Sequence, residues 1–305
     1  MRLLARPCAR VRNNGPVTSA TDPAPAIRPV PTAPRLIATD LDGTLLRDDK
    51  SVSDRTVAAL AAAERAGIEV FFVTGRPARW MDVVRAHVHG HGLAICGNGA
   101  AVVDLHGDDG GPRFVKVRPL ERAAALDVVT VLRAAVPGTS FAVERTGGFH
   151  HELAYPPMHM DAAASIAPAE KLLAEDAAPA NQPVLKVLAF HPELAPDDFL
   201  TLARTAVGAR AEITRSSPTA LLEISGAGVS KASTLALCCA ERGISPTEVV
   251  AFGDMPNDME MLSWAGTSYA MGNAHPDVLA TASGRTAANN EDGVAVVIEQ
   301  ILKAL

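Results

Sequence analysis

The sequence predicts an α/β protein: an open, mainly parallel sheet whose chain is interrupted by an inserted α+β domain. Three observations carry this expectation. Short apolar runs alternate with helix-patterned stretches from residue 34 to about 118, the rhythm of βαβ units. One of those runs, IEVFFVT at 68–74, is an apolar strand but for Glu69 near its start, as a strand buried on both faces of a parallel sheet tends to be. The rhythm then stops near residue 119 and returns towards the C-terminus. The core is expected at 34–118 and 221–305, with an inserted cap at 119–220.

The elements follow in order. RLIAT (35–39) is a short β-rich run. Ser53 reads as the N-cap of a helix through Ala66, with Val57, Leu60 and Ala61 on one stripe and Gly67 just past its end. After the 68–74 strand, Gly75-Arg76 turns into Pro77, a good first helical residue, for a helix to about Val88. LAICGNGAAVV (93–103) reads as strand, glycine turn and strand, and RFVKV (113–117) as a strand pairing back on it. The insert carries helical patterns at 119–134, 161–175 and 197–206 between the β-like runs SFAVE, PVLKVLAF and ALLEI. The core resumes with a helix at 230–242, a strand at 248–252, a helix at 256–263, a strand at 267–271 and a last helix at 291–303. The whole is a Rossmann-like sheet, whose functional sites belong at the carboxyl ends of its strands.

Bulk properties narrow the function. The 305 residues are 48% hydrophobic and 20% charged, enough to bury a real core. No apolar run approaches the roughly 18 to 20 residues of a membrane span. Residues 1–33, rich in Pro, Ala and Arg, read as a disordered leader. Its Arg-rich start allows a targeting role or a plain extension, but it lacks the apolar core of a secretory signal. The leader holds five arginines and one aspartate, so of a net charge of −6 the body carries −10. So acidic a body argues against nucleic acid as partner. An anionic ligand would need locally placed cations. The four cysteines, Cys8, Cys96, Cys238 and Cys239, show no paired spacing and read as reduced, cytoplasmic thiols.

Four clusters fall at expected strand ends. In Asp40-Leu41-Asp42-Gly43-Thr44 the period of two sends both carboxylates to one side. They repel unless a cation or proton compensates. An Asp-Gly turn accounts for Asp42 and Gly43 but not for Asp40 after an apolar run. Thr74-Gly75-Arg76 offers a hydroxyl and a backbone N–H at a helix start, a natural phosphate cradle. Lys231 opens a helix, where the macrodipole disfavours a cation. Asp254, Asn257 and Asp258 follow an apolar strand in GDMPND; capping uses one of them well, and together they suit a hard divalent ion. Combined, the clusters make a phosphoryl-transfer site. Asp40 attacks phosphorus, Asp42 exchanges protons with the leaving group and water, and Mg²⁺ on Asp40, Asp42 and Asp254 offsets their repulsion.

DLDGT, TGR, the lysine of GVSK and GDMPND, in that order, resemble the motifs of the haloacid dehalogenase superfamily. The longer run from GDMPND to NNEDGVAVVIE is similar to its Cof-type branch (class IIB cap), and the match covers about 35 to 300. The resemblance implies a Mg²⁺-dependent phosphatase of small phosphate esters, with Asp40 as nucleophile and Asp42 as acid/base. It implies an Asp42 metal contact through the backbone carbonyl and phosphate contacts from Leu41 (backbone), Thr74, Gly75, Lys231 and Asn257. Asp258 and Thr44 would support the metal site, and Arg76 and Asn98 are candidate substrate contacts. Gly97 stands where the family has serine.

Other candidates have simpler readings. His150, His151, Glu152 and His159, and the tract His87, His89 and His91, read as solvated or cap-loop residues rather than metal sites. Asn273 reads as a turn former. A phosphomutase would need a basic cap, but Arg122, Arg133, Arg145, Arg204, Arg210 and Arg215 show no clustering. A receiver-type phosphoacceptor would carry a further aspartate after FFVT, which is absent. A binding protein without turnover is disfavoured because no cluster has lost its functional side chain.

Overall fold

The computed structural model describes residues 33–87, 92–107, 112–157, 163–175, 182–217 and 219–305. Val88, His89, His91, His159 and nearly all of the expected leader lie outside them. The first core segment contains β1 (Leu36–Thr39), α1 (Asp54–Arg65), β2 (Glu69–Val73), α2 (Asp82–Arg85), β3 (Leu93–Cys96), β4 (Ala101–Asp104) and β5 (Arg113–Val117). The cap follows with α3 (Arg122–Ala135), β6 (Ser140–Arg145), β7 (Gly148–His151), α4 (Ala169–Leu172), β8 (Val184–Phe190), α5 (Pro196–Val207), β9 (Ala211–Thr214) and β10 (Leu221–Gly226). The core then resumes with α6 (Lys231–Glu241), β11 (Val249–Gly253), α7 (Met259–Trp264), β12 (Thr267–Ala270), α8 (Pro276–Thr281), β13 (Gly284–Arg285) and α9 (Gly293–Ala304).

The core sheet runs β13-β12-β11-β1-β2-β3-β4-β5. It is parallel from β13 to β3, and β4 and β5 add an antiparallel edge. β1 lies between β2 and β11, with Ile37 level with Val70 and Val250. Alternation divides it between two apolar layers. Ile37 packs with Phe72, Leu60 and Ile298 on the face covered by α1 and α9, while Leu36 and Ala38 pack with Phe71, Leu235 and Met261 opposite. Burial on both faces is the physical reason these strands carry no polar alternation. The five-stranded cap sheet, β7-β6-β8-β10-β9, is antiparallel. Its apolar face packs on α3 and α5 through Val187, Ile224, Leu132 and Phe199.

Several expectations are corrected. Leu221–Gly226 pairs with β8 and β9, so the second core segment resumes after Gly226 and not at 221. An apolar run states that a strand exists but not which sheet it joins. The helix expected from Pro77 is a 3-10 turn, Ala78–Trp80, and the single turn of α2, neither with a side-chain cap. The helix expected at 161–175 shrinks to α4, because Pro168 stands at its N-cap position and disfavours helix before it. β7 lies within residues read as loop, and β9 was not foreseen. The α1 stripe is Thr56, Ala59, Leu60 and Ala63, with Val57 and Ala61 at its margin. Ser53 caps α1 as expected, accepting from Thr56 N at 3.1 Å. Among the described residues, no helix is long and apolar enough to cross a membrane.

Candidate active site

The carboxyl ends of β1, β2 and β11 lie side by side, so the four clusters converge because the sheet order makes them neighbours. Asp40 leaves β1 and donates its N–H to Phe252 O on β11 at 3.1 Å. The chain then turns sharply at Gly43, whose φ is +79° and where any Cβ would strike the Asp254 carboxylate. Only glycine lets this turn lie against Asp254. Thr44 donates to Asp254 Oδ1 at 2.8 Å, and Asn273 donates to Gly43 O at 2.8 Å, bracing the turn from outside.

Lys231 starts α6 behind its N-cap Ser230 and is 1% exposed. Its ammonium donates to Asp40 Oδ1 and Asp258 Oδ1, both at 2.6 Å. Burial opposes its charge, but the Asp258 and Asp40 carboxylates outweigh that and hold the ammonium above its ordinary range. Here is the reason for a lysine where the helix dipole disfavours one. Asp258 is wholly buried, and its other oxygen accepts from Asp254 N and Met255 N at 3.0 Å each. It thus ties the GDMPND loop to Lys231.

Carboxylate oxygens of Asp40, Asp254 and Asp258 lie within 4.8 Å of one another. Burial pushes Asp40 well above the usual carboxylate range, with Lys231 opposing and Asp258 and Asp254 adding to the rise. Burial and Asp258 raise Asp254 to about 7. Buried carboxyls that resist ionisation, as those of Asp40 and Asp254 do, suit a hard cation, which supplies the missing positive charge. The trio differs from the expected metal set of Asp40, Asp42 and Asp254. Asp42 turns its carboxylate to Arg76, at 2.5 and 2.7 Å, and to Lys50, at 2.8 Å. Its main-chain carbonyl is left as the group the resemblance assigns to a metal. Burial raises Asp42, but the bonds from Arg76 and Lys50 outweigh it and bring it to about 2.

Several expected residues line a cavity of about 430 Å³ between core and cap: Asp40, Asp42, Thr74, Gly75, Arg76 and Asn257 on the core side, while Leu41 and Asn98 lie outside its lining. Thr74 is buried and accepts from Arg76 N at 3.1 Å. Leu41 is buried, and its carbonyl accepts from Thr44 N and Leu46 N. Arg76, expected at the substrate, is committed to Asp42. Asn98 stands at φ 56°, ψ 36° between Gly97 and Gly99, a left-handed conformation that asparagine tolerates. Its side chain joins Glu223, at 2.9 Å, to Asn257, at 3.1 Å.

Sequence reasoning missed the cap wall of this cavity: Glu144, Lys186 and Glu223, all buried. Lys186 donates to Glu223 and to Gly75 O, the latter at 2.8 Å. Arg79 of the core donates to Glu144. The available signal was a charged residue inside an otherwise apolar strand, as in PVLKVLAF and ALLEI, since a buried charge needs a partner. The histidine candidates do not assemble a metal site among the described residues. Glu152 instead clamps the cap, accepting from Arg133, Phe141 N and Ala169 N.

The sequence model of a family described as haloacid dehalogenase-like hydrolase matches residues 37–298. The chain belongs to this family. A 5-amino-6-(5-phospho-D-ribitylamino)uracil phosphatase of Bacillus subtilis is 29% identical over 280 residues, covering 88% of this chain and 98% of its own. A pyridoxal phosphate phosphatase of Escherichia coli is 30% identical over 277 residues, covering 87% and 97%. Among solved structures, a haloacid dehalogenase-like hydrolase from B. subtilis superposes with a TM-score of 0.72 at 25% identity, covering 87% of this chain and 99% of that one. A subclass IIB sugar phosphatase matches in fold, with a TM-score of 0.71 at 21% identity, covering 87% and 98%. The chain is a haloacid dehalogenase-like hydrolase of phosphoric monoesters, with an acidic trio able to hold a metal ion.

A cation held by the acidic trio would bind with a definite pH dependence. Without a cation, Asp254 rises from 3.8 to about 7 on folding, so its contribution to stability is lost as pH climbs through that window. A cation that requires the ionised form reverses the loss. Added Mg²⁺ is therefore expected to raise the unfolding temperature more at neutral than at mildly acidic pH. Equal shifts at both would contradict the assignment of Asp254 to the metal.

Proposed function

We propose that this hydrolase is a Mg²⁺-dependent phosphatase of small phosphorylated metabolites, acting through an aspartyl phosphate on Asp40. The observation that carries the reading is the convergence of Lys231, Asp254 and Asp258 on Asp40, which lines the core–cap cavity together with Thr74 and Asn257. Asp40, Asp254 and the Asp42 carbonyl would hold Mg²⁺, with Asp258 and Thr44 supporting them, and the ion would supply charge neutralisation for the phosphate.

Asp40 attacks phosphorus in line, and Lys231, held at its Oδ1, fixes the carboxylate and offsets charge on the equatorial oxygens. Thr74, the backbone at Leu41 and Gly75, and Asn257 orient the phosphate. Asp42 protonates the leaving alcohol and then takes a proton from water. With Arg76 and Lys50 bound to it, its pKa of about 2 leaves it ionised at neutral pH, with no proton to give. Transfer of those two cations to the incoming dianion would let Asp42 take up a proton from solvent before it protonates the leaving alcohol. None of the six cap arginines lines the cavity, which supports hydrolysis over a mutase that must grip a second phosphate.

The cavity volume fits a leaving group of metabolite size. The relatives' names support trying 5-amino-6-(5-phospho-D-ribitylamino)uracil and pyridoxal phosphate first as substrates. Buried free thiols at Cys96, Cys238 and Cys239 support a reducing, cytoplasmic setting. Phosphate release from a panel of sugar, pyridoxal, ribitylaminouracil and nucleoside monophosphates is expected for one class, and only with Mg²⁺. Release that survives chelation would count against the metal, and no release from any ester would favour a binding role.

A further inference from the structure

Glu223 and Lys186 are two buried charges on the cap that take no part in the chemistry above. Alternation along β8 and β10 turns Lys186 and Glu223 to the face opposite Val187 and Ile224, which fill the cap core. That face looks onto the cavity. Burying a charge is unfavourable unless every bonding group is met, and these two meet theirs partly on each other and Ser216 of the cap and partly on Asn98 and Gly75 of the core. Glu223 accepts from Lys186, Ser216 and the Asn98 amide; Lys186 also reaches Gly75 O. Gly75 permits the approach, since a Cβ there would crowd Asn98 Oδ1 at 3.2 Å and Glu223 Oε1 at 3.3 Å.

The chain of bonds has a direction. An ionised carboxylate only accepts, so Asn98 must present its NH₂ group to Glu223. Its carbonyl oxygen then faces Asn257, and that oxygen accepts from the Asn257 NH₂ at 3.1 Å. Asn257 is thereby fixed with its nitrogen towards Asn98, and its second N–H remains to be offered. Its own Oδ1 is buried without a hydrogen-bond partner. An amide choosing its orientation freely would not strand an acceptor, so the orientation is imposed from the Asn98 side.

We propose that Glu223, seated by Lys186, is a positioning residue that sets the orientation of the Asn257 amide through Asn98, so that the phosphate cradle is completed only when the cap sheet rests on the core. The proposal rests on the reading of Asn257 as a phosphate contact. Because the relay begins on the cap, it couples cap seating to the grip on phosphate rather than to the leaving group.

The test is a double-mutant cycle read by kcat/KM and by inhibition with inorganic phosphate. Glu223→Gln can offer an NH₂ where the carboxylate only accepted, releasing Asn98 to flip. It should lower kcat/KM about tenfold and weaken phosphate inhibition by a similar factor. Asn98→Gly, which suits the left-handed backbone and removes the middle link, should do the same, and it serves if Glu223→Gln does not fold. Either change added to Asn257→Ala should produce little further loss. Effects that multiply in the double variants would overturn the relay. So would a Glu223→Gln enzyme whose phosphate inhibition is unchanged while its preference among esters shifts, since Glu223 would then touch the leaving group. If Asn257→Ala alone leaves phosphate inhibition intact, the reading of Asn257 fails, and the relay fails with it.

Discussion

Asp40→Asn is expected to reduce turnover by about a thousandfold or more while leaving the protein at least as stable as the parent. The two halves of this expectation come from different properties of one side chain. The amide has the shape of the carboxylate but is not a nucleophile, so the proposed covalent route would be closed. The stability follows from burial. Asp40 is 5% exposed, and burial with its acidic neighbours holds its carboxyl well above the ordinary range. The folded state therefore pays for ionising it at neutral pH, and a neutral isostere removes that burden. Lys231 keeps Asp258 as counter-ion at 2.6 Å, so the buried ammonium is not abandoned. Phosphate release by the variant on the best ester, with thermal unfolding at neutral pH, tests both halves. Turnover equal to the parent would remove Asp40 as nucleophile. Lost activity with a much lower unfolding temperature would mean that its contribution is structural.

Much of this site was legible because its chemistry conflicts with its surroundings. Asp40 follows an apolar strand and Lys231 opens a helix, and neither placement has a local explanation. Each conflict marked a residue whose partner lies far away in the chain, since Asp40 and Lys231 are each other's partner. The parallel core was legible for a similar reason, since strands such as β1 and β2 are apolar on both faces and no other element needs that. What could not be read was partnership. The sequence puts Asp42 and Asp254 in one acidic set, yet Asp42 turns to Arg76 and Asp258 takes its place in the trio. The expected boundary at 221 cuts through ALLEI, a run counted with the insert, and nothing local in it marks Glu223 as a link to Asn98. Spacing along a chain fixes the face on which a side chain emerges, but the group it meets there depends on which strands pack together.

Lys231→Met should remove most activity and also destabilise the fold, with a pH dependence that identifies the cause. Lys231 sits between two carboxylates and, among the described residues, no other lysine or arginine is bonded to Asp40 or Asp258. Truncating one side of a buried ion pair costs about 3–5 kcal/mol, because the other charges stay buried and unpaired. The methionine fills a similar volume, so packing contributes little to the loss. Asp40 and Asp254 already stand above their ordinary values with the lysine present, and its removal raises both further. Groups raised on folding give their stability at low pH and lose it as pH climbs through the folded values. The variant should therefore approach the parent in stability near pH 4 and fall away steadily towards neutrality. Mg²⁺ should recover part of the deficit at neutral pH by standing in for the lost charge, without restoring activity, since in the proposed mechanism Lys231 also orients Asp40 for attack. Unfolding temperatures for both proteins across that range, with and without Mg²⁺, decide the matter. A deficit of the same size at every pH would assign Lys231 to packing, and the electrostatic account of the whole acidic cluster would have to be abandoned.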